Sequence, residues 1–438
     1  MADISRRQLL AGSIGLAATS MLAHQPARAL PATGPAQSSD DKLILGVPLT
    51  HSDWMLKPNV QWGPAGVRHM LDACKACGWY NVYWRALDGG RALYHSKLLR
   101  PGGRWDADSF WDPQSDADRA TFAKFTGNMS EEKRRALLAK FDSLDYAHFD
   151  PMAEAVRYGH EIGLHIHAWV TINEDDHGWG LVSEFARSHP EFRWRRRNGT
   201  AYRSQLSFAF EEVQKYKLAI LEEILCGYEV DGLFLDWIRT GDVRDNPQTD
   251  AAGVADSGYE APLIDAFRSR FGASPHELPN GDDRWVRIRA EPQTRFMRAV
   301  RQLASRQRRA LPVAVLVAHP WHYRGMQDPI DGNLRGLLLD VAAWSREHLM
   351  DSAVAAGYYR AGGSAETAYR ALQKEAAGFV DVWTYAWVPN TVPEFQGDVE
   401  LARKLRARQM LLWEADYIDD RTNADELKAA MSQVSRHD

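Results

Sequence analysis

The stretch "AEAVRYGHEIGLHIHAWVTINEDD", residues 153–176, joins an amphipathic helical segment to a strand. From residue 165 onward Ile166, Ala168, Val170 and Ile172 alternate with His165, His167, Trp169, Thr171 and Asn173. A strand sends alternate side chains to opposite faces. One face here is therefore aliphatic, and the other is a row of hydrogen-bonding groups running up to Glu174, Asp175 and Asp176.

The same unit recurs along the chain. Strand-like runs occur at 43–49, 81–87, 164–170, 232–238, 312–318, 351–357, 380–386 and 410–416, with helical segments between them such as 212–227, 294–310 and 365–378. Eight strands each followed by a helix predict an α/β fold, a (β/α)₈ TIM barrel. With no internal repeat and no Pro/Ser-rich linker, residues 43–425 read as one domain, and 426–438 as a C-terminal helix or tail. Long insertions follow strands two and four, on the barrel face where active sites are built. They carry "RWDADSFWDPQSD" (104–116) and "RTGDVRDNPQTD" (239–250). Trp105, Trp111, Trp179 and Trp285 sit in Gly-, Asp- or Arg-rich surroundings, which suits sugar recognition better than core packing.

The first 29 residues stand apart. Arg6 and Arg7 precede an apolar run from Leu9 to Ala23 and a small-residue site at Ala27-Arg28-Ala29. That is the pattern of a twin-arginine export signal, followed by a disordered linker over 30–42, and it predicts a periplasmic or secreted protein. Removing Arg6, Arg7, Arg28 and Asp3 leaves 50 basic against 57 acidic residues. An acidic mature chain argues against nucleic acid as a partner, and no further apolar segment is long enough to span a membrane. Three cysteines make no disulfide framework. Cys74 and Cys77 fall on one face of a helix and read as a structural pair.

Parity along the strands selects candidate chemistry. In "VDGLFLDWIR" (230–239) Gly232, Phe234 and Asp236 oppose Leu233 and Leu235, so Asp236 reaches the inner rim. In "MLLWEADYID" (410–419) alternation groups Leu412, Glu414 and Asp416. Strands four and eight face each other across a barrel. Two acids on opposite walls meet the requirement of glycosidic cleavage, an acid for the leaving oxygen and a nucleophile or base opposite it. Asp236 is the expected acid, its pKa raised by apolar Phe234 and Trp237. Glu414 is the expected partner, with Asp416 as its rival, and their opposition favours inversion. His167, Trp169, Asn173 and Glu174 form the expected sugar wall, with His165 deeper. Arg85, Asp88, Arg239, His319, Trp321, Tyr385 and Trp387 complete the rim.

A metal-dependent hydrolase is the competing reading, since His165 and His167 have ligand spacing and His319 and Asp416 follow later strands. Strand six offers Tyr358 and Tyr359 where such barrels place a histidine, and "HEIGLH" (160–165) has one residue too many for a zinc-binding helix face. Neither a metal nor a cofactor is expected. A barrel that binds carbohydrate without cleaving it is the third reading.

The segments "NVYWRALDGGRALYHSKLL" (81–99), "FDPMAEAVRYGHEIGLHIHAWV" (149–170), "HPEFRWRRRNGTAYRSQLSFAFEEVQKYKLAILEEIL" (189–225), "VDGLFLDWIRTG" (230–241) and "GYEAPLIDAFRSRFGASPHELP" (258–279) resemble the bacterial glycosyl-hydrolase-like family 10. The resemblance spans roughly 43–420, and its most specific phrase is Asp231-Gly232 through Asp236. It implies a (β/α)₈ glycosidase acting on a carbohydrate. True family 10 xylanases use Glu on strands four and seven. Here strand four ends in Asp236 and strand seven reads "WTYAW", so xylan specificity does not carry over.

Overall fold

The computed structural model describes residues 42–50, 61–101, 130, 132, 139, 143–173, 175–177, 181–237, 257–307, 309–317, 338–356, 365–413, 418–419 and 421–435. Eight parallel strands close into a barrel: β1 (Ile44–Leu49), β2 (Asn81–Arg85), β3 (His165–Thr171), β4 (Gly232–Asp236), β5 (Val313–Val317), β6 (Ser352–Ala355), β7 (Asp381–Trp387) and β8 (Gln409–Trp413). Each pairs with its neighbours in sequence, and β1 pairs with β8. The fold is a (β/α)₈ TIM barrel.

The helices alternate with the strands: α1 (Pro64–Ala76), α2 (Pro151–Glu161), α3 (Glu211–Gly227), α4 (Ala261–Phe271), α5 (Asp283–Ser305), α6 (Val341–Arg346), α7 (Ala365–Ala376), α8 (Val392–Lys404) and α9 (Ala424–Val434). Their starts are written in local chemistry. Asp150 accepts hydrogen bonds from the N–H groups of Met152 and Ala153, and Pro151 presets the first turn of α2. Helix α5 begins eleven residues before the expected 294 and runs through Pro292. Helix α9 is no tail. Leu427, Met431 and Val434 bury into the layer between barrel and helices, and Leu43 N–H donates to Val434 O.

Two cores follow from strand alternation. Leu45, Val47, Leu233, Leu235, Val313, Val315 and Leu412 face the helices, whereas Tyr83, Trp169, Phe234, Leu316, Trp383, Tyr385, Leu411 and Trp413 fill the barrel. At roughly 1.5–3 kcal/mol per buried side chain, this aromatic filling is a large part of what holds the barrel. Trp285 belongs to a satellite core with Tyr259 and Phe267, which corrects its expected place in a sugar-binding loop. Trp105, Trp111 and Trp179 lie outside the described residues. Cys74 and Cys77 are buried and not joined in a disulfide, and burial pushes the Cys77 thiol up to about 12. Among the described residues no helix is long and apolar enough to cross a membrane.

Candidate active site at the barrel mouth

Register fixes the depth of each inward side chain. Across β3 and β4, His167 lies level with Gly232, Trp169 with Phe234, and Thr171 with Asp236. Across β2 and β3, Arg85 lies level with Trp169. Asp236 thus ends β4 at the upper layer, and its carboxylate is fully buried. Trp169 Nε1 donates to Asp236 Oδ2 at 3.3 Å. The guanidinium of Arg85 sits 5.0 Å from the centroid of the Trp169 ring, a cation–π contact. Arg85 Nε donates to Leu87 O at 2.8 Å, and its Nη2 lies 3.3 Å from Asp88 Oδ1. Guanidinium, indole and carboxylate form one connected line across three strands.

The opposite wall is aromatic. Trp413 meets Trp169 edge to face at 5.3 Å, and Tyr385 lies 6.0 Å from Trp413. Trp387 is the register partner of Trp413 and packs on the same cluster. Among the described residues, the buried hydroxyl of Thr171, beside Asp236, has no hydrogen-bond partner. Gln205, on the hairpin that pairs Arg193–Arg195 with Ala201–Leu206, donates from Nε2 to Asn173 O at 3.2 Å, and its buried Oε1 has no partner among the described residues. Buried polar atoms left unpaired cost stability, about 1–3 kcal/mol each. Thr171 is the register partner of Asp236, and an unpaired buried hydroxyl at that level is what a ligand-binding mouth contains.

The structure brings some of the expected residues together and separates others. Arg85, Asp88, Trp169, Asp236, Tyr385 and Trp387 come together, and Asn173 lies buried just past β3. His167 does not join them. It lies two layers below Asp236, its ring 5.1 Å from Tyr83, with a sealed Nε2 that has no partner among the described residues. Burial lowers its pKa to about 4. His165 is lower still, with Nδ1 3.2 Å from Asn81 Oδ1. His167 is level with Gly232, one residue below the Leu233–Val313 pair, so about five residues, or roughly 16 Å of strand, separate it from Val317 at the end of β5; of the metal reading's other residues, His319 and Asp416 lie outside the described residues.

The alternation that selected Glu414 is also corrected. Leu412 faces the helices, and Leu411 and Trp413 face the barrel. Glu174, Arg239, His319, Trp321, Glu414 and Asp416 lie outside the described residues. Trp237, expected beside the Asp236 carboxylate, points outward against Phe296 and Trp344. Asp175 turns away from the mouth into an ion pair with Lys217, Oδ2 to Nζ 2.8 Å. Trp413 was missed because its strand is apolar on both faces and shows no alternation.

The phrase Asp231-Gly232 has its own explanation at the opposite end of the barrel. Asp231 accepts from Ile166 N–H at 2.7 Å and pairs with His160 and Arg309. A Cβ on Gly232 would come within 2.6 Å of His167 Nδ1 and 2.8 Å of Pro312 O. These residues seat β4 and the filling beneath Asp236.

The arrangement is that of a (β/α)₈ barrel with a buried carboxylate at its C-terminal mouth, walled by aromatic rings. Comparison with solved structures finds the same fold in several glycoside hydrolases. The glycoside hydrolase domain of PgaB (BpsB) from Bordetella bronchiseptica matches with a TM-score of 0.52 at 14% identity, covering 91% of this chain and 99% of that one. The catalytic domain of β-amylase from Paenibacillus polymyxa matches at 0.52 and 13% identity, covering 90% and 98%. α-L-fucosidase isoenzyme 2 from Paenibacillus thiaminolyticus matches at 0.51 and 11% identity, covering 89% and 49%. Identities this low define a shared fold. In sequence, the chain is 31% identical over 150 residues to an S-layer-related protein of Niallia circulans; that stretch is 31% of this chain and 8% of the relative's length. No model of a known protein family matches the chain.

Proposed function

We propose that the protein is an exported glycoside hydrolase that cleaves O-glycosidic bonds of an extracellular or cell-envelope oligo- or polysaccharide without a cofactor. The observation that carries this reading is Asp236. It is a fully buried carboxylate at the end of β4, hydrogen-bonded by Trp169 and facing a wall of Trp413 and Tyr385. Aromatic rings take the carbon faces of a sugar. Asp236 protonates the leaving oxygen.

The second carboxylate follows the strand opposite β4. In the barrel order β8 lies four places from β4 in either direction, and Glu414 and Asp416 come directly after it in sequence. Glu414 is the first partner to test, then Asp416 and Glu174. Acids on opposite walls leave room for a water between them and favour inversion. The fold shared with three glycoside hydrolases supports the class, and the likeness to an S-layer-related protein agrees with a cell-envelope location. Arg6 and Arg7 supply the export address.

The test is a panel of purified polysaccharides incubated with the mature protein, followed by analysis of released sugars. Hydrolysis of at least one glycan that disappears with Asp236→Asn supports the proposal. Glycan binding with no hydrolysis would instead favour a carbohydrate-binding barrel. Arg6→Lys with Arg7→Lys should hold the precursor in the cytoplasm; undiminished export would remove the twin-arginine route.

A further inference from the structure

The inward face of β3 carries a hydroxyl at the level of Asp236. Thr171 is the register partner of Asp236, and its chain neighbours Val170 and Ile172 both face the helices. Alternation therefore turns Thr171 into the barrel, on the same side as Trp169 below it. Asp236 is turned the same way, since Leu235 faces the helices and Phe234 the barrel. Paired strands run about 4.8 Å apart, so the two side chains stand next to each other. Ile172 N–H donates to Asp236 O at 3.0 Å, which carries that register up to the mouth.

Thr171 is fully buried, and its Oγ1 has no hydrogen-bond partner among the described residues. Valine would fill the same space and suit a strand as well, without sealing a hydroxyl away from water. Trp169 Nε1 already donates to Asp236 Oδ2. An indole N–H can only donate, whereas a hydroxyl donates or accepts and turns about one bond to do so. The charged groups on the β2 side, Arg85 and Asp88, pair with each other at 3.3 Å, with Arg85 lying over the Trp169 ring. His167 lies two layers lower on β3. From β7 and β8, the groups packed against Trp169 are Tyr385 and Trp413.

We infer that Thr171 is a positioning residue for Asp236, its hydroxyl donating to the carboxylate as that group gives up its proton. The inference rests on the reading of Asp236 as the acid that protonates the leaving oxygen. In that step the proton passes to the glycosidic oxygen, and the electron pair of the O–H bond stays on Asp236 as negative charge. The bond from the anomeric carbon to the leaving oxygen breaks, its electron pair going to that oxygen. Water adds at the anomeric carbon and yields a proton to the opposing base. A donor placed in advance where charge appears binds more strongly in the transition state than before it. A hydroxyl unpaired beside the neutral acid and paired beside its anion has that property, because hydrogen bonds to charged groups are the stronger kind.

The experiment is a carbon NMR titration of the full mature chain, labelled at its aspartate carboxyl carbons, in wild type, Thr171→Val, Thr171→Ser and Asp236→Asn. The resonance that Asp236→Asn removes belongs to Asp236. Thr171→Val keeps the branched shape and loses the donor, so the Asp236 carboxyl should titrate about 1 pH unit higher. Thr171→Ser keeps the hydroxyl and should restore the wild-type titration. The Tm of Thr171→Val should hold or rise, since an unpaired hydroxyl leaves the core. On a panel glycan that Asp236→Asn fails to cleave, Thr171→Val should lower kcat about tenfold with KM unchanged. An Asp236 titration unmoved or lowered in Thr171→Val would overturn the inference. So would a fall of several degrees in Tm with wild-type kcat, the mark of a residue that serves the strand alone. If the wild type hydrolyses no glycan while the Thr171→Val titration still moves up, the glycosidase reading falls and the pairing of Thr171 with Asp236 stands.

Discussion

The ion pair between Lys217 and Asp175 gives the most quantitative expectation. Both side chains are almost fully buried, 4% and 1% exposed, with Nζ and Oδ2 2.8 Å apart. At an effective dielectric of about 20, unit charges at that distance attract by about 6 kcal/mol. Desolvating the two ions costs several kcal/mol each, so the intact pair contributes little net stability. Breaking it is different. Lys217→Met leaves the Asp175 carboxylate sealed with its Ser183 hydrogen bond, and Asp175→Asn leaves a buried ammonium. Each should cost about 3–5 kcal/mol. At about 1.2 °C per kcal/mol for roughly 400 residues, that is a fall of roughly 4–6 °C in Tm. The double variant Asp175→Asn/Lys217→Met should be less destabilised than the sum of the singles by at least about 2 kcal/mol. Scanning calorimetry on the four proteins reads all three numbers. Single variants within about 1 °C of wild type, or strictly additive losses, would refute the claim that this buried pair clamps the loop after β3 to α3.

Gly232→Ala should destabilise by about 1–3 kcal/mol in urea unfolding, because its Cβ meets His167 and the fixed Pro312 carbonyl. Burial raises the Glu260 carboxyl to about 7 from its ordinary 4.5. The folded protein then keeps a proton that the unfolded chain releases, so stability falls as pH climbs from about 4.5 to 7 and levels off above. Glu260→Gln should abolish that decline, worth up to about 3 kcal/mol, when unfolding is compared at pH 4.5 and 8. Trp169→Phe removes the donor to Asp236 while keeping the ring packing. It should lower kcat with little change in KM, and a change confined to KM would make Trp169 a binding surface alone.

The barrel was legible because strands such as β3 set an aliphatic face, Ile166, Ala168 and Val170, against a polar one. Strand β8 shows no such contrast. Met410, Leu411, Leu412 and Trp413 are apolar on both faces, as a strand buried on both sides must be. Alternation alone could not say whether Leu412 or Trp413 looked inward. Depth was equally hidden. Strand direction puts His167 below Trp169, but only pairing with Gly232 and Phe234, some 65 residues later, sets how far each lies from Asp236. Pro292 reads as a helix breaker, which hid the first half of α5. The apolar spacing of Leu427, Met431 and Val434 is that of a helix packed along one face, and α9 takes the helical one of the two readings of 426–438. The clamp on the loop after β3 gave no local signal, because Asp175 and Lys217 meet across 42 residues.

The central claim is that Asp236 protonates a glycosidic oxygen at the barrel mouth. The most direct measurement compares wild type and Asp236→Asn on the preferred polysaccharide and on a nitrophenyl glycoside of the same sugar. Loss of the acid should slow polysaccharide cleavage by about 10²–10⁴-fold. The nitrophenyl substrate, whose leaving group needs no proton, should suffer far less, and Tm should move by no more than about 2 °C. Wild-type rates on the polysaccharide, or equal losses on both substrates together with a collapse in Tm, would contradict it.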